Sequence, residues 1–253
     1  MKMILIIIII LLILWLKNCI HIENFQNDKF KFGILICCYN RPEYLEKTLA
    51  SLKNTDLKET IIYIIDDNST DTKTVKLIND FDILNVKIIK ERNDKNLGIT
   101  KSLEKGFTYL NNCCEFITNL DSDVILKKNW LEQLYKVYIE GKIKFPDAKN
   151  FIVTGFNCTS SCLHKIENTY DAFYTKKTLG GINTFFHNSF SKEYIQILKE
   201  SSGNKNHGWD WNLSYYCQKN NVPILVTKPS VVQHIGFNGL NSKNKRVDIA
   251  EDF

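Results

Sequence analysis

From Phe32 to Leu126 the chain repeats one pattern. A short apolar run rich in β-branched residues ends on polar or acidic residues, and apolar residues at helical spacing follow. The runs are Phe32–Cys38, Thr60–Ile65, Val86–Lys90 and Phe116–Leu126. Between them fall Tyr44, Leu45, Leu49 and Leu52, then Val75, Ile78 and Phe81, then Leu103, Phe107 and Leu110. Strands alternating with helices in this way need crossover connections, which build a parallel sheet with helices on its faces. The fold class is therefore α/β. Asn40 is expected to cap the first helix, whose first turn accepts Pro42, and Asp71 or Ser69 to cap the second.

In an open sheet of this kind ligands sit outside the carboxyl ends of the strands. Those ends carry Tyr39-Asn40-Arg41, Asp66-Asp67-Asn68-Ser69-Thr70-Asp71 and Asp121-Ser122-Asp123. Asp121 and Asp123 are expected at one exposed strand end, where they repel each other. A divalent cation or a ribose hydroxyl between them relieves that repulsion, and hard oxygen ligands suit Mg²⁺ or Mn²⁺. An isolated D-x-D is equally a solvated turn. Convergence of three such strand ends on one crevice is what favours a site.

The second half is less regular. It offers strands at Phe151–Thr154, Ile224–Val226 and Val231–His234, a helix beginning at Trp130, another at Lys192–Lys199, and a polar loop from Cys158 to Lys177. Asp210 stands between Trp209 and Trp211 after Gly208, where a further helix starts. Met3–Leu16 is an unbroken apolar run between Lys2 and Lys17. It is short for a bilayer span, but no small-x-small cleavage site follows it. Residues 1–17 are therefore read as a single-pass N-terminal signal anchor, with a short stem over 18–31. The rest would lie in the lumen of the secretory pathway, or be secreted if the segment is cleaved. Residues 32–240 form the catalytic domain, in halves 32–126 and 127–240, and 241–253 a mobile tail.

A net charge of +5 without a concentrated basic arm gives no reason to expect nucleic acid as a partner. The eight cysteines show no disulfide framework, Cys158 and Cys162 being the one plausible local pair. Of the sequons at Asn68, Asn157 and Asn212, only Asn157 is expected to be an accessible glycan acceptor.

The ordered set Cys38-Tyr39-Asn40-Arg41-Pro42, Asp66-Asp67-Asn68-Ser69-Thr70-Asp71, Asn96-Leu97-Gly98, Asp121-Ser122-Asp123 and Gly208-Trp209-Asp210-Trp211 resembles the GT-A-fold glycosyltransferases of family 2 type. The likeness spans roughly Phe32 to Gly236. It implies a Rossmann-like mixed sheet, mainly parallel in the N-terminal half, with an acceptor-binding C-terminal half. It also implies metal-dependent, inverting transfer of a sugar from a nucleotide-sugar donor, such as a UDP-sugar, to a hydroxyl of a glycan or glycoprotein. Carried over residue by residue, Tyr39 and Arg41 would lie along the base and phosphates, and Asp67 would accept from the base. Asn96, Lys101 and Ser122 would join the donor site, Lys101 facing phosphate. Asp121 would face the ribose, Asp123 and His234 would hold Mn²⁺ or Mg²⁺, and Gly181, Trp209 and Trp211 would line the acceptor site. Asp210 would be the general base.

Two positions depart from that pattern. Cys37 stands where relatives carry a hydroxyl, and Trp209 stands where the later motif often reads Glu before Asp. The alternatives are a nucleotidyltransferase acting on a sugar phosphate and an inactive sugar-binding protein of the same fold. The first usually carries a basic, Gly-rich loop after its first strand, which Cys38–Pro42 is not. The second would be free to lose Asp121, Asp123 and Asp210.

Overall fold

The computed structural model describes residues 29–158, 164–202, 208–236 and 249–253. The anchor expected over 1–17, most of the stem, and Cys162 lie outside these residues. Among the described residues no helix is long and apolar enough to cross a membrane.

The central strands follow from their composition. In β1 (Phe30–Cys38) and β2 (Thr60–Asp66) the apolar runs are nearly continuous, and every residue of β2 is buried, as a strand covered on both faces requires. The alternation of β1 then divides the core. Ile34 and Ile36 face one cluster with α1 (Pro42–Lys53), α2 (Thr72–Asp80) and α4 (Trp130–Lys144). Leu35 faces the other, with α3 (Ile99–Leu110), α5 (Ser191–Ser201) and α6 (Trp209–Lys219).

Among the described residues the main sheet has nine strands in the order β3 (Lys87–Arg92), β2, β1, β4 (Cys114–Asp121), β9 (Asn183–His187), β6 (Ile152–Thr154), β10 (Ile224–Thr227), β8 (Phe173–Lys176) and β7 (Ile166–Thr169). It is parallel from β3 to β4, and becomes mixed where β9 runs antiparallel between β4 and β6. The register opposes Cys38 to Asp66 and Cys37 to Asp121, so three strand ends share one edge.

Five expectations are corrected. The run Phe116–Leu126 is two strands: β4 ends on Asp121, and β5 (Val124–Leu126) leaves the sheet to pair with β11 (Val232–His234). Two carboxylates cannot continue through a sheet interior, so the chain turns at Ser122. Side chains of α1 then satisfy β5, Val124 donating to Thr48 Oγ1 at 2.9 Å and Leu126 to Ser51 Oγ at 2.7 Å. Asn40 does not cap α1. Arg41 takes that position without a side-chain cap bond, whereas Asp71 does cap α2 by accepting from Thr74.

The expected polar loop 158–177 contains the hairpin β7–β8, whose edge strand β7 is exposed throughout and so lacks the buried alternation that betrays a strand. The expected mobile tail ends docked. Ala250 and Gln233 exchange two hydrogen bonds of 2.8 and 2.9 Å, and Ser230 Oγ donates to Asp252 at 2.5 Å. Amide pairing of this kind leaves no hydrophobic period. Asn157 is only 1% exposed, its amide held by Ser230 Oγ, so the folded protein does not present it for glycosylation.

Candidate active site

At the end of β1 the chain makes an unusual turn. Asn40 and Arg41 both lie in the left-handed region, with φ 54° and 60°. For residues with a Cβ this costs about 1–2 kcal/mol each. The turn is held from the next strand end: Ser69 Oγ accepts from the Asn40 amide at 2.9 Å, while Asn40 Oδ1 accepts from the Thr70 and Asp71 amides at 2.9 and 3.0 Å. Its effect is to aim Arg41. The guanidinium lies 4.4 Å over the Tyr44 ring, and Nη1 donates to Asp123 Oδ2 at 2.8 Å.

The end of β2 is closed by hydrogen bonds. Asp66 accepts from the Ser69 amide at 2.8 Å and from Arg92 Nη1 at 2.7 Å, and Arg92 also holds the Ser69 carbonyl. Asp67 accepts from Asn93 Nδ2, the Leu97 amide and the Gly98 amide at 2.7–2.8 Å. Both carboxylates are buried. The oxygens that the resemblance assigns to the nucleotide base are thus engaged by the loop 93–98, which they shape.

The end of β4 is different. Asp123 is buried, not exposed as expected, and a single oxygen carries two neighbours: Arg41 Nη1 at 2.8 Å and His234 Nε2 at 3.4 Å. The His234 contact follows from β11 pairing with β5, where His234 lies opposite Val124 and Ile235 donates to the Asp123 carbonyl at 2.9 Å. Burial acts to raise the Asp123 carboxyl, but the hydrogen bond and charge of His234, with Arg41, hold it below the ordinary aspartate value. Asp121 is pushed the other way, well above that value, by burial first and then by the negative charge of Asp123.

Asp210 enters from the far half. It lies in the first turn of α6, and burial raises its carboxyl; backbone amides of Trp211, Asp210 itself and Gly181 offset this in part. Its charge is felt at Asp121. Gly181 joins the two: its carbonyl accepts from Asn119 Nδ2 on β4 at 3.0 Å, next to Ile182, whose carbonyl accepts from the Asp121 amide at 2.9 Å. A Cβ on Gly181 would stand 2.5 Å from the Trp209 ring, so only glycine lets that ring close on the loop. Trp209 is therefore a buried support packed beside Tyr194, which corrects its expected place on the acceptor surface. Trp211 is half-buried, 5.3 Å from the His164 ring.

Tyr39 is 36% exposed beside this edge, Ser122 is half-buried in the turn, and Asn96 is exposed in the loop that Asp67 holds. Lys101 Nζ lies 2.9 Å from Glu104, one helical turn on along α3. Sequence reasoning missed Arg92, Asn93 and Asn119. Their sites follow from strand register, and no local pattern marks them. A cavity of about 870 Å³ at the amino end of β10, lined by Phe145, Lys177 and Pro223 among others, includes none of these groups.

The model of the family "Glycosyl transferase family 2" matches residues 33–199, so the chain belongs to that family. Asp121 and Asp123 lie within the match; Asp210 and His234 lie beyond it. The chain is 28% identical over 108 residues to an uncharacterized glycosyltransferase of Haemophilus influenzae, covering 43% of this chain and 32% of that protein. It is 30% identical over 110 residues to a cholesterol galactosyltransferase of Borreliella burgdorferi, covering 42% of this chain and 29% of that protein. The matches thus span about a third of the length of these relatives.

Among solved structures, residues 1–349 of Staphylococcus aureus TarS in complex with UDP-GlcNAc superpose with a TM-score of 0.57 at 16% identity, over 86% of this chain and 62% of that one. GalNAc-T7 with UDP, GalNAc and Mn²⁺ superposes with a TM-score of 0.59 at 14% identity, over 85% and 45%. At these identities the likeness is one of fold.

Proposed function

We propose that this family 2 glycosyl transferase moves a sugar from a UDP-sugar to a hydroxyl of a glycan or glycoprotein, by a metal-dependent single displacement that inverts the anomeric centre. The observation that carries this reading is the meeting of three parts of the chain at one carboxylate: the β1 turn through Arg41, the D-x-D through Asp123, and β11 through His234. The UDP ligands of the TarS and GalNAc-T7 structures support the choice of nucleotide.

The residues fit a divalent cation. Asp123 Oδ2 and His234 Nε2 stand 3.4 Å apart, and a Cβ on Gly236 would lie 2.0 Å from the first and 2.8 Å from the second, so glycine is what lets them meet. Carboxylate and imidazole suit Mn²⁺, and Mg²⁺ also accepts few protein ligands beside phosphate and water. Among the described residues no third ligand of the same kind joins them. The remaining positions would therefore fall to the diphosphate and water. A bound cation supplies positive charge to offset the departing diphosphate.

The protein's own groups do the rest. Arg41 bears on the diphosphate, and Asp121, whose carboxyl burial and Asp123 push above the ordinary aspartate value, is suited to hydrogen bonding with ribose. Asp210 takes the acceptor proton, because a sugar hydroxyl attacks well only if its proton leaves as the new bond forms. The raised carboxyl of Asp210 favours that role, and Trp211 beside it offers a ring face for a sugar. The apolar run Met3–Leu16 would hold the enzyme at a membrane. Donor hydrolysis and transfer, measured over a panel of nucleotide sugars with Mn²⁺, Mg²⁺ or chelator, tests the reading. Turnover of a UDP-sugar that stops with chelator is expected; no turnover of any nucleotide sugar would reject it.

A further inference from the structure

The geometry points to a second role for Arg41, which rests on the reading that Asp123 and His234 hold a divalent cation. We propose that its guanidinium occupies Asp123 in the unliganded enzyme and releases it only when a nucleotide diphosphate arrives, so that metal and nucleotide enter together.

The contact is specific. Arg41 Nη1 lies 2.8 Å from Asp123 Oδ2, the same oxygen that faces His234 Nε2 at 3.4 Å. A guanidinium and a divalent cation compete for one carboxylate oxygen, because two positive centres so close repel each other. Asp123 is 8% exposed in its side chain and Arg41 31%, so solvent screens the contact only from the Arg41 side. The arrangement is also built from outside. Asn40 and Arg41 keep consecutive left-handed conformations through bonds to Ser69, Thr70 and Asp71, and the Tyr44 ring supports the guanidinium from one face. With the backbone held, exchange is left to the side chain.

A diphosphate changes the balance. Its paired oxygens match the planar donors of a guanidinium better than one carboxylate oxygen does. Arg41 moving to phosphate would free Asp123 for the cation that the same diphosphate carries. Metal and nucleotide are then coupled through one side chain, and the coupling must be reciprocal.

The test is Mn²⁺ binding by wild type, Arg41→Ala and Arg41→Gln, read from the electron paramagnetic resonance amplitude of free Mn²⁺ with and without UDP. Without UDP the variants should bind Mn²⁺ about tenfold more tightly than wild type, since the competing state is gone. UDP should tighten Mn²⁺ binding to wild type and do so much less in the variants. Equal or weaker Mn²⁺ binding by both variants without UDP overturns the proposal and leaves the metal assignment standing. If none of the three proteins binds Mn²⁺ even with UDP, the metal assignment itself fails, and this inference with it.

Discussion

The ends of β2 and β4 look alike in sequence, each an apolar strand finishing on two nearby aspartates, yet the structure uses them in opposite ways. Asp66 and Asp67 are saturated by donors of the protein: Ser69, Arg92, Asn93, and the amides of Leu97 and Gly98. Asp121 and Asp123 are left in tension. One is pushed up by burial and by its neighbour, and the other relies on Arg41 and His234 at a single oxygen. A carboxylate whose hydrogen bonds are complete holds shape; one whose partners are few and charged can exchange them for a ligand. In the proposed mechanism the first pair builds the wall of the site, and the second works in it.

That contrast can be broken by experiment. Asp123→Ala should reduce transfer by about 10⁴-fold or more, the several kcal/mol that a catalytic cation supplies, and should abolish Mn²⁺-dependent UDP binding. Retained Mn²⁺-dependent binding by this variant would place the cation elsewhere. Asp210→Asn should lower kcat by roughly 10²–10⁴ with donor affinity nearly unchanged, as loss of a general base without loss of a binding group. Near-wild-type transfer to a verified acceptor would take Asp210 out of the mechanism.

Stability sharpens the comparison. Asp67→Ala strands a buried donor on Asn93 and part-buried amides of Leu97 and Gly98. It should cost roughly 2–4 kcal/mol in denaturant unfolding, because unsatisfied buried donors lose their full desolvation energy. Asp123→Ala removes the partner of Arg41, whose side chain is 31% exposed and can turn to water, and it also relieves Asp121, so it should cost less than Asp67→Ala. The reverse order would mean that the β2 pair, not the β4 pair, is the strained one.

The smallest effect concerns pH. Burial raises the Asp210 carboxyl, and a base must be ionised, so kcat should fall with decreasing pH through a value above that of an exposed aspartate. The same shift has a cost. A folded-state value above the unfolded one means the ionised carboxylate lowers stability at neutral pH, a loss fully present above the folded value and absent below the unfolded one. Asp210→Asn should therefore melt ~1–3 °C higher than wild type near pH 7, with the difference closing on acidification; differential scanning calorimetry at several pH values would detect it.

Much of the N-terminal half was legible because its signals are local. The runs Ile34–Cys38 and Ile61–Ile65 read as buried strands, and Leu45, Leu49 and Leu52 as one helical stripe, without reference to anything distant. The motif Asp121-Ser122-Asp123 marked the strand end at which the site is proposed. Less legible was the region where strands are short or exposed, as in β7, or where hydrogen bonds do the holding. The docking of residues 249–253, the shielding of Asn157 and the inward turn of Trp209 all escaped because amide pairs and glycine clearances have no period.

By itself the sequence determined the α/β class, the parallel run of β1 to β4 and the acidic and basic residues at their ends, since apolar periodicity and turn chemistry act within a few residues. Only the tertiary structure decided which of those residues meet. Cys37 opposite Asp121 and His234 opposite Val124 are pairings between distant segments. They set whether a carboxylate finds an amide, a guanidinium or an imidazole within reach. Burial then amplifies the outcome, because the same neighbour acts far more strongly on a charge that water no longer screens.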